Sequence, residues 1–283
     1  MARVGIVTDS TCDLSRQVLD GFDVRMVPLK VLFGEETFTD WVDIQPAEFY
    51  ERLVGAETLP KTSQPSPAEF LSTYKQLAEE GCDAIVSVHL TGPLSGTVES
   101  ARLASADSPV PVHVVDTKLV SQGLGLVVAA ATEARDAGGD AETIAARAAQ
   151  VAGSCRLFFV LDTLDYLVKG GRAGKAQGLA ASVLGIKPIL MFNSEGTIEP
   201  FKKVKGRKRA IAELAAHVAA DAKENGHMRA AILHACVADE GAELAAELER
   251  VGADVTIDRR GLVGAVIGTY AGPEAIGIAY YPA

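Results

Sequence analysis

Short apolar runs alternate with stretches of helical spacing through the first half of the chain. Val4 to Val7 reads as a buried strand that ends in Thr8-Asp9-Ser10-Thr11. Val24 to Leu32 is β-branched and extended, with Pro28 marking an edge or a bend. Pro46 to Val54 has helical spacing, starting near Asp43 or Gln45. Pro67 to Glu80 is a second helix, ended by Gly81. A strand (Ala84–His89), a helix (Thr97–Ala106), a strand (Val112–Val115) and two helices (Ser121–Asp136, Ala141–Ala152) follow. This rhythm predicts a parallel sheet with helices on its faces.

The second half reads differently. Leu157 to Leu161 is an apolar strand, and a glycine-dense stretch runs from Gly170 to Gly178. Strands Ile189–Phe192 and Thr197–Val204 flank Asn193-Ser194-Glu195-Gly196, a hairpin turn signal. A helix (Arg207–Lys223), a strand (Ala230–His234), a helix (Glu240–Arg250) and strands Asp254–Ile257 and Ala275–Tyr280 complete the chain. The expected class is α/β: a parallel-sheet α/β domain over residues 1–154 and an α+β domain over 155–283, with no internal repeat and no low-complexity linker.

Composition narrows the function. The 283 residues are 48% hydrophobic and 23% charged, as in an ordinary globular protein. A formal net charge of -10 argues against binding a nucleic-acid backbone. Cys12, Cys82, Cys155 and Cys236 form no CxxC pattern, and reduced thiols in a cytoplasm are the simplest expectation. The longest apolar stretch, around Leu124 to Ala131, is far short of a membrane span. Gly123-Leu124-Gly125 lacks the third glycine of a dinucleotide fingerprint. Gly171-Arg172-Ala173-Gly174-Lys175-Ala176 has neither P-loop spacing nor its Ser or Thr. The histidines show no HExxH spacing, so neither metal nor cofactor is expected.

Two polar loops remain. In Lys61-Thr62-Ser63-Gln64-Pro65-Ser66-Pro67, Ser66 suits a helix cap with Glu69 as its box partner. That leaves Thr62 and Ser63 without a structural task. Leu94-Ser95-Gly96-Thr97 follows strand Ala84–His89, at the carboxyl edge where parallel sheets bind ligands. Helix N–H groups there favour an anion. Ser95 or Thr97 serving only as a cap is the other reading, and both stand at this point. A hydrolase using Ser95 is weaker, because Gly92-Pro93-Leu94-Ser95-Gly96 is not a nucleophile elbow, although His89 is near in sequence.

The sequence resembles the DegV family, whose better-studied members are fatty-acid-binding subunits of bacterial fatty acid kinase. The resemblance runs nearly end to end. It rests on Thr8-Asp9-Ser10-Thr11-Cys12-Asp13-Leu14, the two loops above, Val115-Asp116-Thr117, Gly170-Gly171-Arg172, Ile186-Lys187-Pro188-Ile189-Leu190 and Gly268-Thr269-Tyr270-Ala271-Gly272-Pro273. It implies a long-chain fatty acid held between two domains, its chain in a buried apolar tunnel. The carboxylate would be held by Thr62, Ser63 and Ser95, with Gly96 and Thr97 of the second loop beside them. A kinase partner would then phosphorylate it, while the carrier itself has no ATP site. Tyr270 stands where family members similar to the kinase subunits often carry histidine. A tyrosine hydroxyl donates one hydrogen bond and brings no charge. Arg172 is the candidate for the missing charge, or else a solvated residue of a structural turn.

Lys202, Lys203, Lys205, Arg207, Lys208 and Arg209 crowd one segment of an acidic chain. Cations in the first turn of a helix oppose its dipole. Lys203, Lys205 and Arg207 are therefore expected to dock an acidic partner or a phosphate, most simply the kinase, with a solvated helix face as the other reading. A non-catalytic lipid carrier is the leading expectation. A serine-dependent acyl transferase or hydrolase and a small-molecule sensor are the alternatives.

Overall fold

The computed structural model of the protein describes residues 3–179 and 186–283. The chain begins with strand β1 (Val4–Asp9), helix α1 (Arg16–Gly21), β2 (Val24–Val27), β3 (Lys30–Phe33) and β4 (Glu36–Thr39). Next come α2 (Pro46–Gly55), β5 (Lys61–Ser63), α3 (Pro67–Glu79), β6 (Ala84–His89), α4 (Thr97–Ser105) and β7 (Val112–Asp116). Helices α5 (Ser121–Asp136) and α6 (Ala141–Ser154) lead to β8 (Arg156–Val160), α7 (Asp165–Lys169), β9 (Ile186–Phe192) and β10 (Ile198–Lys205). The chain closes with α8 (Arg207–Asn225), β11 (Met228–His234), α9 (Ala238–Arg250), β12 (Val255–Leu262), α10 (Ala265–Ala271) and β13 (Ile276–Pro282).

The first sheet is parallel, in the order β2-β1-β6-β7. The second has the order β10-β9-β8-β13-β11-β12, antiparallel except for β11 with β12. A small antiparallel sheet runs β4-β3-β5. The fold is α/β, as expected.

Alternation along β8 shows how the layers stack. Leu157, Phe159 and Leu161 join a core that also holds Val86, Val88 and the α5 residues Leu124 and Val127. Phe158 and Val160 face the other way, among Leu214 and Val218 of α8 and Leu244 of α9. On the far side of the first sheet, Val7 and Ile85 pack with Phe70 and Tyr74 of α3 and Ala101 of α4. The helices α5 and α6 thus form a middle layer between the two sheets. Ser121 through Thr132 are all buried, as a helix covered on both faces requires.

Several elements depart from the sequence reading: the run Val24–Leu32 is two strands, β2 and β3, and α1, β4 and α7 were not expected. Lys61–Ser63 is a strand paired to Lys30–Leu32, not a loop. Only three residues long, it is too short to show alternation, and its pairing is long-range. Gly264–Ala271 carries a helix that went unread, seven residues long with Gly268 inside it.

Helix α10 is seated by side chains from the first half of the chain. The Tyr50 hydroxyl donates to Val263 O at 3.1 Å, and Ala265 N donates to Asp40 Oδ1 at 3.2 Å. A Cβ on Gly264 would lie 2.5 Å from Trp41 Nε1 and 2.6 Å from Asp13 Oδ1, so only glycine fits. Asp13 in turn accepts from Ser121 Oγ at the start of α5. Burial raises both carboxyl pKa values; the charge of Asp40 adds to the rise at Asp13 and that of Asp9 to the rise at Asp40, which is pushed up to about 7. The folded chain therefore keeps a proton that the unfolded chain releases above the ordinary carboxyl value of 3.8. Between those values this carboxyl costs stability as pH rises, at about 1.4 kcal/mol per pH unit. Asp40→Asn should remove that dependence. Urea unfolding at pH 5 and pH 8 checks it: the wild type should lose more stability over the interval than the variant, and equal losses contradict the assignment.

Candidate functional site

The middle layer is incomplete beyond the start of α5, and a cavity of about 620 Å³ lies there. Its walls include Leu157 and Phe159 on β8, Leu161 just after it, Leu233 on β11, and Val266 and Ile267 on α10. One end is polar. Thr62, Ser63, Gln64, Ser95, Gly96, Arg172 and Tyr270 all line it.

These groups come from four separate pieces of chain. Strand β5 supplies Thr62 and Ser63 because its pairing with β3 sets it at the rim. Ser66 caps α3 with Glu69 in a full capping box, so the neighbouring hydroxyls are not spent on the helix. Ser95 lies between a tight turn at Gly92–Leu94 and α4. Gly96 takes the cap position of α4 with no side-chain cap hydrogen bond, which leaves the helix start suited to an anion.

Tyr270 is tied to the opposite rim. Its hydroxyl and the Thr62 hydroxyl are 2.6 Å apart, which joins α10 to β5. The Arg172 guanidinium carbon lies 4.9 Å from the Tyr270 ring centroid, a cation–π arrangement. Arg172 Nη1 also donates to Gly170 O at 2.9 Å. Arg172 is thus a half-buried wall of the cavity rather than a solvated turn residue. Gly170 makes room for this packing, since a Cβ there would come 2.4 Å from Tyr270 Cδ1.

Electrostatics favour an anion. In a chain of net charge -10, Arg172 is the one charged side chain that lines the cavity among the described residues. No carboxylate opposes it there. Among the described residues, no cluster of His, Cys, Asp or Glu could hold a metal.

Two expectations need correction, those for Thr97 and Arg207, and the hydrolase reading fails at His89. Thr97 is fully buried and does not line the cavity. Its hydroxyl lies 2.9 Å from Ser95 Oγ, so it orients Ser95 from behind. Arg207 is not available for docking. Its Nε donates to both Glu240 oxygens, at 2.6 and 2.8 Å, and its Nη2 donates to Glu274 O. That pairing is the structural gain that offsets its unfavourable place in the first turn of α8. His89 is fully buried, with Nδ1 3.0 Å from Asp9 and Nε2 2.6 Å from Ser87. Both ring nitrogens are occupied, so His89 cannot act as a base for Ser95. Gln64 and the apolar walls were missed as site residues. Gln64 lies against Gly96, where a Cβ would meet its Oε1 at 2.4 Å.

A family model described as an uncharacterised protein, DegV family, matches residues 3–283. The chain belongs to the DegV family. It is 38% identical over 278 residues to a DegV domain-containing protein of Streptomyces coelicolor, covering 97% of each chain. It is 34% identical to Protein DegV of Bacillus subtilis, covering 98% of each. Among solved structures, a fatty-acid-binding DegV family protein from Thermus thermophilus is similar, with a TM-score of 0.93 at 35% identity, over 99% of this chain and 100% of that one. DegV from Bacillus subtilis, described as a fatty acid binding protein, gives 0.90 at 32% identity, with full coverage of both. A stearic-acid-binding protein from Eubacterium ventriosum gives 0.88 at 30%, over 100% of this chain and 98% of that one.

Proposed function

We propose that this protein binds a long-chain fatty acid between two units, residues 1–154 and 155–283, and presents its carboxylate to a kinase. The observation that carries the reading is a cavity apolar along its length, with one arginine and a set of hydroxyls at one end. That is the shape and polarity of a fatty acid. The fatty-acid-binding DegV structures that the chain resembles over its whole length support it.

Ser95 and the Thr62–Tyr270 pair, in which one hydroxyl donates to the other and leaves one proton for the ligand, supply hydroxyl donors to the carboxylate, and Arg172 supplies the charge. Ser63 and Gln64 are exposed, so the head group lies near the surface, within a partner's reach. The carrier contributes binding and presentation, and the kinase contributes the nucleotide. Lys203 and Lys205, exposed on β10, form the docking face. Four unpaired cysteines fit a cytoplasmic setting, and no helix among the described residues is long and apolar enough to cross a membrane.

Two experiments test these steps separately. Native mass spectrometry of protein purified from a bacterial host should show one long-chain fatty acid per chain. Tyr270→Phe and Ser95→Ala should each weaken its binding by about 1.5–3 kcal/mol, the worth of a hydrogen bond to a charged group. Lipid-free protein with no affinity for added fatty acid contradicts the carrier. Lys203→Glu with Lys205→Glu should weaken binding to the kinase but leave fatty acid affinity unchanged. Equal kinase affinity rules out that docking face.

A further inference from the structure

A second cavity, of about 560 Å³, begins where the first stops. Along β8, Leu161, Phe159 and Leu157 line the first cavity, while Cys155 and Arg156, just before them, line the second. After β7, Val120 lines the first and Leu119 the second. Phe192, the last residue of β9, is the one side chain common to both linings among the described residues.

The order along β8 sets a direction. Leu161 adjoins the segment that leads through α7 to Arg172, at the polar end. Leu157 is four residues away, or roughly 13 Å at the rise of a β-strand. Phe158 is paired with Met191, which places Phe192 beside Leu157, at the far end from the head group. The Phe192 ring is 5.9 Å from that of Phe159 and is almost wholly buried. The hairpin that carries it is fixed to the first sheet, since Thr91 Oγ1 donates to Gly196 O at 2.8 Å. Beyond Phe192 the lining is mixed: Leu119 and Met191 are apolar, Lys118 and Asn193 next to them in sequence are polar, and so is the ion pair of Arg156 with Asp221.

We propose that Phe192 is the partition that sets the length of acyl chain this protein accepts. The second cavity is the space a longer chain enters once that ring is removed. The polar groups of its lining limit the extension to a few methylenes. This inference rests on the fatty-acid reading of the first cavity.

The test is a set of dissociation constants for saturated fatty acids from laurate to behenate, measured on the whole protein as wild type, Phe192→Ala and Phe192→Trp. Wild-type affinity should rise with chain length and then stop rising. In Phe192→Ala it should keep rising past that point, by about fourfold per added methylene, the value of burying a methylene in an apolar site. In Phe192→Trp the optimum should move to shorter chains. A thermal melt shows whether Phe192→Ala is folded; if it is not, the shift in Phe192→Trp alone decides. The same optimum in every folded variant overturns the partition while leaving the fatty-acid reading intact. Wild-type protein that binds no member of the series overturns both.

Discussion

Two sheets in this protein share one layer of helices, and that layer does not fill the space between them. Near α5 the apolar faces meet and close into a core that runs through both halves of the chain. Beyond the first residue of α5 the helices no longer reach, yet the inward residues of β8 and β11 remain apolar. An apolar face without a covering layer is unfavourable in water. In the proposed reading, an acyl chain that fills the gap completes the layer. The binding site would then be a part of the core that the chain itself does not supply.

The remaining wall is α10, and its placement shows how the ends of the chain cooperate. Its start is held by Asp40, Tyr50 and the space kept at Gly264, all in contact with the first half of the chain. Its end carries Tyr270 to Thr62 across the polar mouth. A helix this short has little stability of its own. Its position follows from these tertiary contacts, so one helix joins the buried carboxyl pair to the polar end of the cavity.

Much of the frame was legible in the sequence. The parallel rhythm, the Asn193–Gly196 turn and the Ser66–Glu69 capping box are local signals, and each lies where its pattern placed it. Strand β5 and helix α10 were not legible, because both are too short to show a period and both depend on distant partners. Arg207 misled for a related reason. Its cost is visible locally, in the first turn of α8, whereas the Glu240 carboxylate that offsets it is 33 residues away. Loop chemistry alone left Ser95 open between a cap and an anion site. The cavity walls could not be told from ordinary core, since Leu157 and Phe159 have the same pattern as any buried strand.

The central claim is that one end of the cavity holds a carboxylate and the rest holds its chain. A crystal structure of the protein grown with stearate tests this directly. The account predicts carboxylate oxygens within hydrogen-bond distance of Tyr270 Oη and of Ser95 or Thr62 Oγ, with the chain running past Leu161 and Phe159 toward Leu157. An empty cavity with the lipid bound elsewhere, or a chain lying with its carboxylate away from Arg172, would contradict it.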